Sequence, residues 1–377
     1  MTSRTETLRC RSLEAKPTIS SERAVLMTGF SRGHEGRYSP PVMRGLALRH
    51  LVEHQTIFIG EGELIVGERG PAPKVVPTFP ELTCHSLEDL RILNSRPKTW
   101  YVVPDEVLAD YERIVIPYWH GRSLRDRMFE ALAPEWHTAY EAGIFTEFME
   151  QRAPGHTVLD DKIYSRGLLD FIADIDRVAA SIDGLRDPEA WEKREALAGM
   201  RLAAAAVIRF AERHADRALA LVEQERSPSR RSELEQIAAV CRHVPAHAPR
   251  TFWEALQAYW FCHLGVITEL NGWDAFNPGH LDQHLLRFYE QGLADGTLTA
   301  DSARELVEHA VNVPLGDPAA VAALRPFVVL ADRLGRFSVQ LDPGRLERVD
   351  VMVAGALAGS DPELLARAVL AGLLGPV

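Results

Sequence analysis

The sequence predicts a helix-rich α/β fold, and three observations carry that expectation. Phe252, Trp253, Leu256, Tyr259 and Trp260 recur at three- and four-residue spacing, the apolar stripe of an amphipathic helix. Residues 187–242 read as helical, and residues 191–224 within them have few breakers and many alanines, a composition that favours helix. Two short β-rich runs stand beside these helices: Thr56-Ile57-Phe58-Ile59 and Glu63-Leu64-Ile65-Val66-Gly67. They flank Gly60-Glu61-Gly62, a hairpin or tight-loop signal.

The chain has 377 residues, 46% of them hydrophobic, ample for a large core in one big domain or two. A net charge of −11 argues against nucleic acid, whose binding needs a basic footprint. Cys10, Cys84, Cys241 and Cys262 are scattered without metal-ligand spacing, as expected of free thiols in a reducing compartment. The N-terminal MTSRTETLRCRS has no apolar core, and no run reaches about 18 uninterrupted apolar residues. A soluble, cytoplasmic protein is therefore expected.

Taken in order, residues 1–54 read as helical, broken at Ser39-Pro40-Pro41. A serine hydroxyl of Ser20-Ser21 is suited to cap the helix beginning near Glu22. Residues 71–121 are proline-broken and aromatic-rich, and Trp119-His120 reads as a packed aromatic turn. Phe145, Phe148 and Met149 have helical spacing, and Pro154-Gly155 ends that element, leaving His156 and Thr157 on a loop. Arg152 and His156 are close enough in sequence to face one cavity, although composition alone favours a solvated loop. Ser232-Glu233-Leu234-Glu235 opens a helix with Leu234, Ile237, Ala238 and Cys241 along one face. His243, His247 and His263 invite a metal reading, but their surroundings are cationic and an acidic triad is absent, so they read as structural.

After Trp260 the run Phe-Cys-His-Leu-Gly-Val-Ile is almost continuously apolar, and periodicity does not separate a buried strand from further helix. Then Glu269, Asn271, Trp273, Asp274, Asn277, His280, Asp282, Gln283 and His284 crowd together, broken by Gly272 and Pro278-Gly279. An apolar element ending abruptly in carboxylates, amides and imidazoles is either a pocket edge or a junction whose polar groups satisfy backbone donors.

ELNGWDAFNPGHLDQHL resembles the E-x-N…P-G-[RH]-x-D-Q segment of glycyl radical enzymes, the family that shares its fold with pyruvate formate-lyase. TIFIGEGELIVGERG resembles the family's I-x-x-x-E-L-I-V-G segment, and LADGTLTADSARELVEHA its D-G-x-L-T helix. RAPGHTVLDDKIYSRGLLDF is similar to the R-x-P-G-H-T loop of its dehydratase branch. The resemblance runs from about residue 15 to 310. It implies that residues 1–310 form the N-terminal part of the family's ten-stranded α/β barrel. It also implies a lyase that cleaves a C–O bond of a small hydroxylated substrate, trans-4-hydroxy-L-proline first, with the isethionate-cleaving branch as the alternative. On this chain the implied substrate-binding residues are Phe148 and Arg152, and the implied catalytic residues are His156 and Asp274. The resemblance implies no bound cofactor and no metal; the family uses a protein glycyl radical installed by a radical-SAM activase. The implied partners are a small-molecule substrate and that activase, with no nucleic acid or membrane and a homodimer left open.

The radical-bearing motifs are missing from these residues. No cysteine follows a glycine, so there is no Gly-Cys-x-Glu, and Arg348-Val349-Asp350-Val351 lacks the glycine of R-V-x-G. After Ala310 there is no Lys, His, Cys, Trp or Tyr. Residues 311–377 are expected to be a divergent tail: a helical cap, the end of a truncated gene, or a shifted frame. Two function classes remain open: a glycyl radical lyase represented by its N-terminal portion, or a catalytically inactive, helix-rich binding protein that kept only the substrate wall.

Overall fold

The computed structural model describes residues 3–98, 100–144, 159–269 and 280–312. The chain opens with α1 (Ser3–Glu14), β1 (Thr18–Ser20), α2 (Glu22–His34) and α3 (Pro40–His54). After β2 (Val75–Pro77) come α4 (Leu87–Ser95) and α5 (Asp105–Asp110), which continues through a π turn at Tyr111–Val115 into α6 (Ile116–Trp119). Short helices α7 (Leu124–Ala131) and α8 (Pro134–Glu141) follow, then a 3-10 turn at Asp160–Tyr164. The remainder is α9 (Leu168–Ser181), α10 (Ala190–Val222), α11 (Pro228–His243), α12 (Phe252–Glu269), α13 (Leu281–Asp295) and α14 (Ala300–Asn312).

Among the described residues the sheet is a single parallel pair, Thr18 opposite Val75 and Ser20 opposite Pro77, extended by a bridge from Thr18 to Val102. The apolar run after Trp260 is helix: α12 continues to Glu269 without a break. The β-rich runs at residues 56–67 form no hairpin, only a tight loop, and the cause lies in α12. Trp253 Nε1 donates to the Leu64 carbonyl (3.1 Å) and Trp260 Nε1 to the Gly67 carbonyl (2.9 Å). Between them Gln257 accepts from the Val66 N–H (2.9 Å) and donates to the Val66 carbonyl (2.8 Å), much as a neighbouring strand would. Three side chains on one helix face thus satisfy a buried segment's backbone groups, and no strand partner is needed. Gly67, at φ 125°, permits the approach: a Cβ there would sit 2.5 Å from Leu264 Cδ1.

α10 is the spine against which α3, α9, α11 and α12 pack. The larger core gathers Phe210, Ile237, Leu256, Phe261 and Leu264 around Ile65 and Val66; each such side chain contributes about 1.5–3 kcal/mol by leaving water. A second core joins α2, α3 and α5 around Leu51, Leu90 and Tyr111. Arg213 closes the C-terminus of α3 by donating to the carbonyls of Val52 (2.6 Å) and Gln55 (2.8 Å).

Two local readings change. Ser21 does not cap α2; its hydroxyl donates to Asp110 (2.6 Å), and Ser20 Oγ accepts the Glu22 N–H instead (3.2 Å). α11 starts a turn before Ser232, because Ser227 caps it and Pro228 occupies its first position. Trp119 is buried at the end of α6, with Nε1 donating to Thr28 Oγ1 (2.9 Å), and the turn that follows begins at the exposed His120.

Candidate functional site

Phe148, Arg152 and His156 fall in residues 145–158, and Asp274 falls in residues 270–279; both segments lie outside the described residues. What the structure gives is the frame from which those segments leave and to which they return. The first returns through the 3-10 turn ending at Tyr164, and the second through His280 into α13. These two return points touch. The Tyr164 ring stacks on His284 with centroids 5.0 Å apart and planes inclined by 19°, and Arg287 donates to the Tyr164 carbonyl. The 3-10 turn also packs on α12, the helix from which residues 270–279 depart. The described residues that follow the two segments therefore meet.

The departure point is held by two arginines. Arg23, 4% exposed, donates from Nε to the Thr268 carbonyl (2.8 Å) and reaches the carbonyl of Glu269 (3.4 Å). Arg44 clasps the Glu269 carboxylate bidentately, at 2.7 and 2.8 Å. Sequence reading missed both residues. Their partners on α12 lie more than two hundred positions away, and an arginine near a helix start is an ordinary sight.

Along α12, His263 stacks between Tyr259 and Trp260. Burial, helped by the Arg69 charge, lowers its pKa to about 4, so the ring is neutral at pH 7. On the neighbouring segment, burial raises the Glu68 carboxyl well above its ordinary range and lowers Arg69. Burial pushes the Cys262 thiol up to about 12 and also raises Cys241, so both serve packing rather than thiolate chemistry. His243 Nε2 contacts the Ala248 carbonyl (2.9 Å) and its ring stacks on His247, while His263 lies within the aromatic stack of α12. No cluster of three or more metal-ligating side chains occurs among the described residues. A groove of about 340 Å3 beside Tyr164 is lined by Ser165, Arg250, Arg287 and Gln291, among others. No described helix is long and apolar enough to cross a membrane.

Residues 1–312 match the sequence model of the family described as pyruvate formate lyase-like. Residues 323–377 match a different one, the D-3-phosphoglycerate dehydrogenase intervening domain. The chain is 46% identical over 305 residues to a trans-4-hydroxy-L-proline dehydratase of Clostridioides difficile, covering 81% of this chain and 39% of that protein. It is 31% identical over 306 residues to an isethionate sulfite-lyase of Nitratidesulfovibrio vulgaris, covering 78% of this chain and 36% of that one. The crystal structure of hydroxyproline dehydratase from Clostridioides difficile with trans-4-hydroxy-L-proline bound superposes with a TM-score of 0.80 at 44% identity. The aligned part is 84% of this chain and 41% of that one. The glycerol-bound B12-independent glycerol dehydratase of Clostridium butyricum gives 0.78 at 27% identity, over 84% of this chain and 40% of its own. The chain thus spans about two fifths of the length of these relatives.

Proposed function

The chain belongs to the pyruvate formate lyase-like family, and from that premise we propose that residues 1–310 are the N-terminal, substrate-facing portion of a glycyl radical dehydratase. The substrate proposed is trans-4-hydroxy-L-proline. The similarity to the dehydratase over 81% of the chain supports this reading, against 31% identity to the isethionate lyase. The observation that carries the site is the Tyr164–His284 stack, which joins the return points of the two segments bearing the four proposed residues.

In this reading Arg152 pairs with the substrate carboxylate, for which a planar guanidinium fork is suited. Asp274 accepts a hydrogen bond from the substrate ammonium or hydroxyl, and His156 holds and passes the proton that accompanies the leaving hydroxyl. Phe148 closes the cavity against water. The family's protein glycyl radical supplies hydrogen abstraction when installed by a radical-SAM activase; Gly-Cys-x-Glu and R-V-x-G are absent from these 377 residues. The residues present therefore bind and orient the substrate and move its proton. We also propose a cytoplasmic location, the activase as a partner of the complete enzyme, and a homodimer as its assembly. Residues 311–377 are proposed to be a segment of separate ancestry, supported by the second family match and the compositional break after Ala310.

The second reading, a binding protein without catalysis, is favoured by the missing motifs. It predicts the same ligand contacts, and the coding sequence beyond Ala310 in other frames separates the two. The binding site itself is tested by calorimetric titration of the chain with trans-4-hydroxy-L-proline. Binding weakened about 10- to 100-fold in Asp274→Asn is expected, the worth of a hydrogen bond to a charged group. Equal affinity in the variant and the parent removes Asp274 from the site.

A further inference from the structure

Polar side chains hold α1 to the rest of the protein. Among the described residues none of its side chains joins the apolar cores, and Thr5 alone is buried. Thr5 Oγ1 donates to Glu308 Oε2 of α14 (2.8 Å), a carboxyl group with 0% exposure that also accepts from Arg304 Nε (3.0 Å). Arg4 pairs with Glu233 of α11 (2.6 Å) and Glu305 of α14 (3.5 Å). Arg11 donates to both the carboxylate (2.8 Å) and the carbonyl (3.1 Å) of Glu61. The loop that carries Glu61 is held in the same manner by two more helices. Arg230 of α11 donates to the carbonyls of Gly60 (3.1 Å) and Glu63 (2.8 Å), and His309 of α14 contacts that of Gly62 (3.1 Å). Four successive carbonyls thus meet side chains from α1, α11 and α14.

The side chains of Arg4 and Glu233 are 30% and 21% exposed, and those of Arg11 and Glu61 50% and 81%. Ion pairs this open are weak, and salt weakens them further. The helices packed on α10 are held instead by buried apolar side chains, whose contribution is not a charge that salt can screen. Opening α1 gives up little apolar burial and lets Glu308 meet water, which recovers hydration that a buried charge forgoes. An element held in this way belongs to the low end of a protein's local stabilities. We propose that α1 is a charge-latched strap. It opens as one piece while the helices around α10 stay folded, and its opening loosens residues 60–63 and the Glu308 side of α14 with it. Ionic strength sets how often the strap is open. The latch works without substrate.

Hydrogen–deuterium exchange of the full 377-residue chain tests the strap. It is measured at about 0.1 M and about 1 M sodium chloride, between which the screening length falls from about 10 to about 3 Å. Peptides covering residues 3–14, 56–67 and 300–312 are followed, with α10 as the control. Raising the salt is expected to speed exchange in α1 about 3- to 30-fold, the combined worth of two or three exposed pairs. The other two peptides should speed up by a smaller factor, and α10 should not change. Arg4→Met and Arg11→Met keep the side-chain stem and remove the charge. Combined, at the lower salt, they are expected to reproduce the fast exchange and to lose most of the salt response. Exchange in α1 that either salt or the double variant leaves unmoved overturns the latch. Acceleration of α10 alongside α1 shows global opening and overturns the strap as a separate piece. Fast exchange in α1 with residues 56–67 and 300–312 unchanged overturns the coupling to the loop and to α14.

Discussion

Gln257, fully buried, shows how much rests on single polar side chains in this protein. Its amide serves both the N–H and the carbonyl of Val66. Gln257→Leu leaves two buried backbone groups unpaired at about 1–3 kcal/mol each. A loss on the order of 2–6 kcal/mol in unfolding free energy is expected from urea titration, and a loss under about 1 kcal/mol would show that water replaces the amide. Glu63 carries a pH signature. Burial pushes its carboxyl up to about 7 from an ordinary 4.5, against the opposing pull of the Gly60 N–H and the Arg230 charge. Between those values the folded state binds more protons than the unfolded, so this group's contribution falls as pH rises from about 4.5 to 7. His214 and His263, both lowered to about 4 by burial, act oppositely from about 4 to 6.5. Glu63→Gln should therefore gain stability relative to the parent as pH rises through the Glu63 window, read as the difference between two urea midpoint curves. A pH-independent difference contradicts this. None of this was legible from sequence: Val66 and Gln257 are 191 positions apart, and the burial that shifts Glu63 comes from the assembled core.

At the scale of elements, the helices were the readable part because their apolar periodicity is local. The stripe from Phe252 to Trp260, apart from the half-buried Trp253, and the face from Leu234 to Cys241 are buried in the structure. The run from Phe261 to Ile267 was ambiguous because α12 is buried nearly all round, which erases the polar face that periodicity needs. The runs at residues 56–67 had strand-like composition, but their hydrogen-bond partners turned out to be side chains of a helix. The crossing of α3 and α10 depends on two glycines. A Cβ on Gly199 would lie 2.5 Å from the Pro41 carbonyl oxygen, and one on Gly45 would lie 2.7 Å from Leu202 Cβ. Gly199→Ala gains up to about 1 kcal/mol of helix propensity but forces backbone apart at about 1–3 kcal/mol. A net loss of up to about 2 kcal/mol in thermal or urea unfolding is expected; a stabilised variant would mean the two helices separate freely.

For the whole molecule, the resemblance carried what periodicity could not. The fold and family followed from segments recognised together, and the family model matches residues 1–312. The four site residues came from the same resemblance, since Arg152 and His156 alone read as a solvated loop, and no local pattern links them to Asp274. Beyond Ala310 the composition changes, and the family resemblance gives way to a segment similar to the D-3-phosphoglycerate dehydrogenase intervening domain. The central claim is that residues 1–310 hold the substrate wall of a glycyl radical dehydratase. A crystal structure of the chain grown with trans-4-hydroxy-L-proline tests it most directly. One ligand contacted by Phe148, Arg152, His156 and Asp274 is expected, with side-chain separations on the order of 10 Å or less, as a small-molecule pocket requires. Asp274 on the opposite face of the protein from Arg152 and His156, with the ligand absent or bound elsewhere, would contradict it.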